Sequence, residues 1–226
     1  MRQAMSHIPK IIHYVWVGGK PLSPLAEQCL ASWRLHAPDF EIKRWDETNS
    51  PMEHHYVKAM YAAKKWAFVS DYIRFYALAN EGGVYLDTDQ ELFRAITPLL
   101  EAEAGFVGRS KSGQIESSVI GAIPHAQFVE VACDFYDTDT RYSTEDTSPL
   151  IVERAIAQVG GVGVVVHPYT YFHPINEGEY ITDTIRRNSY GVHHWAESWV
   201  PYARWRKLAR KLGVMNVLKR LRRLVW

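Results

Sequence analysis

The chain has 226 residues, 47% of them hydrophobic, which is enough to bury the core of one domain and excludes a disordered chain. Its two cysteines, Cys29 and Cys133, offer no disulfide framework and are typical of reduced thiols inside predicted helices. Residues 1–7 lack the apolar stretch of a signal peptide, and no run reaches the ~20 apolar residues of a membrane span. We therefore expect a cytoplasmic protein.

The formal net charge of +1 is unevenly distributed along the chain. Residues 201–226 contain nine Lys or Arg and no acidic residue, whereas residues 1–200 contain 17 basic and 25 acidic residues. This asymmetry predicts a main domain over residues 1–200 and a basic tail over residues 201–226. The acidic character of the domain argues against nucleic acid as a partner.

Strand and helix patterns alternate along the main domain. The predicted strands are residues 10–17, Phe40–Trp45, 84–88, Gly105–Val107, Ser118–Ala122 and Val162–His167. The predicted helices run from Ser23-Pro24 to about Leu35, from residue 56 to residue 81, and over Ser148–Gln158. This order is typical of an α/β fold with helical crossovers, in which ligands bind beyond the carboxyl ends of the strands.

Two carboxylates follow one of these strands. Gly82-Gly83 provides a left-handed cap for the preceding helix and leads directly into the strand. Period-two alternation then places Tyr85, Asp87 and Asp89 on one face of the chain. Oxygen ligands at a strand terminus are suited to a divalent cation that also binds phosphate, although two turn-forming Asp residues are the alternative interpretation.

The same tripeptide, Asp-Thr-Asp, occurs again at Asp137–Asp139. That copy lies in a polar run without a preceding buried strand, so we expect it to be a solvated loop.

Three sequence blocks resemble a known family. Residues 70–74 (Ser-Asp-x-x-Arg) and 82–89 (Gly-Gly-Val-Tyr-Leu-Asp-Thr-Asp) resemble the core of glycosyltransferases with a sugar-binding DXD region. This family includes yeast initiation-type mannosyltransferases, bacterial capsular polysaccharide transferases and, more distantly, the clostridial glucosylating toxins. Residues 8–19 resemble its first strand and residues 193–199 its closing motif. The resemblance implies a GT-A type, Rossmann-like fold with a mostly parallel central sheet.

The resemblance also implies roles for these residues. It assigns catalysis to Asp87, Asp89 and Arg74, with Asp89 as the direct ligand of Mn²⁺ or Mg²⁺ and Asp87 acting through water or the donor. Arg74 and Asp71, three apart on one helical face, would hold hydroxyls of the donor together with Ser70. An ordinary surface ion pair is the alternative for Asp71 and Arg74. Tyr85 is grouped with the donor-binding residues.

The first strand ends at a tryptophan and two glycines. Trp16 is a candidate to stack on the nucleobase, while Gly18 and Gly19 would allow the nucleotide to approach the backbone closely. The alternative for Trp16 is a place in the core.

The closing block supplies a further set of candidates. His194 is a candidate to complete the metal shell, and Ser198 and Trp199 to contact diphosphate oxygens. The alternative is a purely structural segment that ends the domain. Ser117-Ser118 and Ser148-Pro149 stand where relatives often have Asn and Gly-Pro, at positions that border the donor sugar.

The predicted function is a metal-dependent, retaining transfer of a sugar from a nucleotide sugar to a glycan or lipid-linked acceptor in surface polysaccharide synthesis, and a uridine nucleotide is the expected donor. A haloacid-dehalogenase-like phosphatase is disfavoured because Glu91 stands where that family has Thr. A non-enzymatic module that binds anionic membranes or nucleic acid through the basic tail is the main alternative.

The tail itself has the pattern of an interfacial helix. Val214, Val217, Leu218, Leu221 and Leu224 share one helical face, and basic residues occupy the other. We expect this helix to bind the anionic inner face of the membrane, making the enzyme a peripheral membrane protein. Packing against protein is the alternative.

Overall fold

The computed structural model describes residues 7–138 and 146–196. Within them the chain forms eight strands and seven α-helices. The strands are β1 (Ile11–Val15), β2 (Glu41–Trp45), β3 (Gly83–Leu86), β4 (Gln90–Leu92), β5 (Gly105–Arg109), β6 (Ile115–Ala122), β7 (Val164–His167) and β8 (Gly191–His193). The helices are α1 (Pro24–His36), α2 (His55–Ala62), α3 (Trp66–Glu81), α4 (Gln127–Thr138), α5 (Ser148–Gln158), α6 (Tyr169–Phe172) and α7 (Asp183–Asn188).

The central sheet has six strands in the order β2-β1-β3-β6-β5-β7. β1 is parallel to both β2 and β3, and β5 is parallel to β7, whereas β6 runs antiparallel to its two neighbours. The predicted α/β fold with a mostly parallel sheet is therefore confirmed. Because β1 and β3 are parallel neighbours, their carboxyl ends lie at the same edge of the sheet, which is the usual place for a ligand in this architecture. A second, two-stranded sheet pairs β4 with β8.

The core lies on both faces of the central sheet. Buried side chains of α2, α3, α4 and α5 cover one face, and α1 and Phe172 of α6 belong to the cluster on the other. The α1 helix begins as predicted, with the Ser23 hydroxyl accepting a hydrogen bond from the Ala26 N–H and with Pro24 in the first turn. No helix in the described residues is long and apolar enough to cross a membrane.

Two predictions of secondary structure are wrong. The single helix expected over residues 56–81 is two helices, because Lys64 adopts a left-handed conformation (φ 57°). The Lys65 N–H then donates to Met60 O and the Lys64 N–H to Tyr61 O, a C-terminal cap that ordinarily uses glycine. The loop expected at Asp137 is the last turn of α4, where Asp137 Oδ1 lies 2.8 Å from His54 Nε2. Asp139 lies outside the described residues.

The chain divides into one unit up to His194 and a second from Trp195 to Trp226. Every strand and helix given above lies in the first unit. The predicted boundary after residue 200 and the predicted tail helix lie outside the described residues, so they stay predictions.

The junction between α3 and β3 brings the polypeptide to the site. Gly82 caps α3 as predicted, with φ 65° and its N–H donating to Leu78 O at 2.9 Å. The buried His13 ring donates from Nε2 to Gly82 O (2.7 Å) and accepts from Trp45 Nε1 at Nδ1 (3.0 Å). Burial lowers the pKa of His13 to about 4, so the imidazole is neutral. Its hydrogen bonds connect β1 to this junction.

A substitution at Gly83 tests how closely the backbone packs at this junction. Its φ is 101°, and a Cβ there would lie 2.7 Å from Ile11 O, a backbone atom that cannot move away easily. We expect Gly83→Ala to lower the free energy of unfolding by about 2 to 4 kcal/mol, measured by urea denaturation.

Gly113→Ala is the matched control. Gly113 also has a left-handed φ (89°), but nothing lies within 4 Å of its added Cβ. This variant should therefore lose only the conformational term of about 1 to 2 kcal/mol. Equal losses in the two variants would contradict the close packing at Gly83.

Candidate active site

The Asp-Thr-Asp segment is a turn directly after β3. The Asp87 N–H donates to Ser118 O of the neighbouring β6 at 2.9 Å, and the Gln90 N–H donates back to Asp87 O at 2.9 Å. The turn therefore leaves the sheet at Asp87 and returns to β4 at Gln90. The side chains of Asp87 and Asp89 are 27% and 15% exposed, so both carboxylates are shielded but reachable.

Asp87, Asp89 and His193 form one group of possible metal ligands. One ligand atom from each lies within 4.8 Å of the other two. His193 Nε2 is 3.1 Å from Asp89 Oδ1 and 4.0 Å from Asp87 Oδ2. Pairing of β4 with β8 sets His193 opposite Gln90, immediately after the turn. Burial lowers the pKa of His193, but Asp89, Asp87 and Glu116 outweigh it, so the pKa is raised overall.

The structure differs from the expectation that His194 completes this group. His194 Nε2 lies 2.9 Å from Glu91 Oε2, and Arg186 Nη1 lies 3.2 Å from the other oxygen of the same carboxylate. Burial raises the pKa of Glu91, but His194 and Arg186 more than offset it. Because neighbouring residues of an extended chain point to opposite sides, only one of His193 and His194 can face the Asp pair. That residue is His193.

Arg74 anchors the other side of the turn. Its side chain is 4% exposed, and its guanidinium lies 2.7 Å from Asp71 Oδ1 and 3.3 Å from Asp87 Oδ1. Nη1 also donates to Ser117 O at 2.8 Å, and the carbon Cζ lies 4.6 Å from the centre of the Tyr85 ring. The Tyr85 hydroxyl donates to Asp87 Oδ1 at 2.9 Å. Arg74 and Tyr85 together therefore fix the orientation of the first carboxylate of the motif.

Asp71 belongs to the same buried network and is not part of a surface ion pair. Its Oδ1 accepts from the Ser148 hydroxyl at 2.7 Å as well as from Arg74. Ser148 and Ser117 hydroxyls lie 2.8 Å apart, so Ser117 donates to Ser148, whose single proton goes to Asp71. Burial raises the pKa of Asp71, with Arg74 and Ser148 opposing it. Ser70 is a peripheral member, 3.3 Å from Arg74 Nη2 and donating to Ala67 O.

The residues expected at the nucleotide lie after β1. Trp16 is half-buried, and its indole N–H donates to Lys20 O at 2.7 Å, which folds the segment after β1 back on itself. The Gly18 N–H donates to Glu47 Oε1 at 2.6 Å, and a Cβ on Gly18 would lie 2.9 Å from the Trp66 ring. A glycine is thus required at position 18 because of its close contact with Trp66. Gly19 has open space within 4 Å of its added Cβ, so a ligand can approach the backbone there.

The sequence predicts most of the residues that the structure brings together here, but not three of them. The prediction names His194 where the structure places His193, and the His-His doublet is the only sequence signal for it. Glu116 of β6, whose charge acts on His193 and Asp87, carries no motif. His173, fully buried with Nε2 2.7 Å from the Ser118 hydroxyl, comes from a segment with no predicted role. Ser198 and Trp199 lie outside the described residues.

Comparison of the sequence with known proteins finds one family model and a curated relative. Residues 24–106 match the family described as glycosyltransferase sugar-binding region containing DXD motif. Mannosyl phosphorylinositol ceramide synthase CSH1 of Saccharomyces cerevisiae is 29% identical over 142 residues, which cover 55% of this chain and 34% of that protein. The chain thus matches about a third of the length of this relative.

Solved structures show the same fold. PaToxG glycosyltransferase superposes with a TM-score of 0.58 at 17% identity, covering 68% of this chain and 70% of its own. A glycosyltransferase involved in the glycosylation of the major capsid of PBCV-1 gives a TM-score of 0.56 at 11% identity, covering 84% and 95%. The fold is therefore of the GT-A type, as predicted.

The burial of the Asp71–Arg74 pair can be measured through stability. Removing one partner of a buried ion pair leaves the other charge poorly compensated, so we expect Asp71→Ala to lower the free energy of unfolding by about 3 kcal/mol. Urea denaturation followed by circular dichroism provides the measurement.

Lys58→Ala serves as the control for that variant. Lys58 pairs with Glu53 at 2.9 Å, but the two side chains are 67% and 89% exposed. Water screens such a pair, so this variant should unfold almost like the unaltered protein. A loss for Asp71→Ala as small as the loss for Lys58→Ala would contradict the buried network.

Proposed function

We propose that the chain is a glycosyltransferase of the kind that carries a sugar-binding region containing a DXD motif, since residues 24–106 match the model of that family. It would transfer a sugar from a nucleotide-sugar donor in a reaction that requires a divalent cation. The observation that carries this proposal is the convergence of Asp87, Asp89 and His193 at the carboxyl end of β3. Carboxylate oxygens with one imidazole nitrogen are a donor set that suits Mn²⁺, with Mg²⁺ as the alternative. When bound, such a cation neutralises the charge that develops on the departing diphosphate.

The protein's own groups prepare this site in advance. Asp89 and His193 lie 3.1 Å apart, and Asp87 is held by the Tyr85 hydroxyl and Arg74, so the three side chains already lie close together. Preorganised charge of this kind is the main way in which a protein stabilises a transition state. We assign the catalytic contribution to Asp87, Asp89 and Arg74, and the metal-binding contribution to Asp87, Asp89 and His193.

The donor is proposed to extend from the carboxylates toward the end of β1. Trp16 offers a half-buried aromatic ring for the base, and Gly19 offers an open backbone for the ribose or diphosphate. Asp71 Oδ1 is already engaged by Arg74 and Ser148, so any contact of Asp71 with a sugar hydroxyl would use its other oxygen. The proposed donor is a uridine nucleotide sugar. The transfer is proposed to retain the configuration at the anomeric carbon of the sugar.

The proposed acceptor is a glycan or a lipid-linked oligosaccharide of surface polysaccharide synthesis. The name of the yeast relative includes a ceramide lipid, which supports an acceptor attached to lipid. The basic segment over residues 201–226 supports the same proposal, because its nine positive charges and apolar stripe would hold the enzyme on the anionic inner face of the membrane. The enzyme would then be cytoplasmic and peripheral.

The first test concerns the chemistry. We expect the protein, incubated with Mn²⁺ and a panel of nucleotide sugars, to release nucleoside diphosphate from at least one of them. Asp89→Ala removes a ligand and little packed volume, so it should lower this rate by at least 100-fold, equivalent to about 3 kcal/mol of barrier, while the protein stays folded.

Asp137→Ala is the matched control, because Asp137 begins the second Asp-Thr-Asp sequence, at the end of α4. It should keep the rate of the unaltered protein. Near-normal turnover by Asp89→Ala at saturating Mn²⁺ would disprove the site. Absence of diphosphate release from every donor would favour the alternative, a module that binds anionic surfaces without catalysis.

The second test concerns the membrane. Full-length protein should co-sediment with vesicles that contain anionic lipid, should not do so with neutral vesicles, and should be released by high salt, because the attraction is electrostatic. Truncation after Tyr202 removes all nine basic residues of the tail and should abolish sedimentation. Equal binding by the truncated protein would exclude the tail as the membrane anchor.

A further inference from the structure

A third carboxylate lies beside the proposed metal ligands and has no role in the transfer described so far. Glu116 lies on β6 opposite Gly108 of β5, two residues before Ser118. The carbonyl of Ser118 accepts the Asp87 N–H, so this part of β6 borders the Asp-Thr-Asp turn directly. Glu116 is half-buried and outside the ligand group of Asp87, Asp89 and His193. It is therefore adjacent to the ligand group but not a member of it.

The direction of the Glu116 side chain follows from its neighbours on β6. Ser117 points to Arg74 and Ser148 on the helical side of the sheet, so the adjacent Glu116 points to the opposite side. Ser118 also points there, with its hydroxyl 2.7 Å from His173 Nε2, and the His173 ring lies 5.8 Å from that of His193.

The β5–β6 ladder is irregular at this point. Its register shifts between Val107 and Gly108, and the extra residues lie in β6 next to Glu116. Irregularities of this kind are common beside active sites. Here the residue facing Glu116 is glycine, and a Cβ on Gly108 would lie 3.1 Å from the His173 ring. The space over Gly108 is thus occupied by His173.

The charges around Glu116 show what it faces. Burial raises the pKa of its carboxyl and Asp87 raises it further, whereas the Ser110 hydroxyl and His193 lower it. Glu116 in turn contributes to the raised pKa of His193. Glu116 is thus a half-buried carboxylate beside Asp87 and His193, and further hydrogen-bond donors from a ligand would favour its charged form.

We propose that Glu116 positions the transferred sugar, by accepting a hydrogen bond from one of its hydroxyl groups. This inference rests on the proposed function, because it takes the donor diphosphate to be at Asp87, Asp89 and His193. The transferred sugar is bonded to that diphosphate and is the first part of the donor beyond it. A carboxylate is an acceptor-only group, which matches the hydroxyl donors that a sugar presents. Glu116 is a positioning residue, and no bond to it forms or breaks.

The test compares two ligands that differ only in the sugar. Binding of UDP and of the UDP-sugar that the unaltered protein hydrolyses fastest is measured by calorimetry at saturating Mn²⁺. We expect Glu116→Ala to weaken binding of the UDP-sugar by about 10- to 100-fold, the effect of losing a charged hydrogen bond, and to change UDP binding less than about twofold. Glu116→Gln keeps the shape and one acceptor oxygen, so its loss should be smaller.

The outcomes separate the possible roles of Glu116. Equal affinity of the unaltered protein and both variants for the UDP-sugar would overturn the proposal, and so would an equal loss for UDP and the UDP-sugar, which points to the metal or the fold. Glu116→Gln is expected to fold even if Glu116→Ala does not, and Glu103→Gln, an exposed acid, controls for the change of charge. An unaltered protein that binds neither ligand would overturn the proposed function itself.

Discussion

The guanidinium of Arg74, almost entirely excluded from solvent, requires opposite charge and hydrogen-bond acceptors around it, and the candidate active site is built around that requirement. Asp71 and Asp87 supply opposite charge, and the Ser117 carbonyl and the Tyr85 ring complete the surroundings. These partners come from α3, the end of β3 and β6, and Ser148 extends the network to α5. A buried charge is costly unless opposite charge and hydrogen bonds compensate it, so the network holds these elements in one relative arrangement.

The strand order places the other candidate site residues near the Asp-Thr-Asp turn. β1 lies between β2 and β3 in a parallel arrangement, so the segment containing Trp16 and Gly19 leaves the sheet at the same edge as the Asp-Thr-Asp turn. The small β4–β8 sheet then returns a distant part of the chain to that turn and sets His193 beside Asp89. Neither carboxylate depends on a long flexible loop for its position. The short turn after β3 therefore holds Asp87 and Asp89 close to His193.

The sequence alone predicts those parts of the structure that depend on neighbouring residues in the chain. The Ser23-Pro24 start of α1, the Gly82 cap and the strand leading to Asp87 follow from capping, left-handed glycine and alternation, and the family resemblance added the fold. The sequence alone does not predict those parts of the structure that depend on tertiary contacts. The break at Lys64 uses a non-glycine residue in a glycine conformation, and the choice of His193 over His194 is made by the pairing of β8 with β4. Glu116 acquires its position only when β6 is laid beside β3.

The central claim is that the two carboxylates and His193 form the cation-dependent site for the donor diphosphate. A calorimetric titration of UDP into the unaltered protein, once with Mn²⁺ and once with a chelator, tests this most directly. The arrangement of Asp87, Asp89 and His193 predicts binding in Mn²⁺ that is at least about tenfold tighter than in the chelator, because two carboxylates repel a diphosphate unless a cation lies between them. Equal affinity for UDP under the two conditions would contradict it.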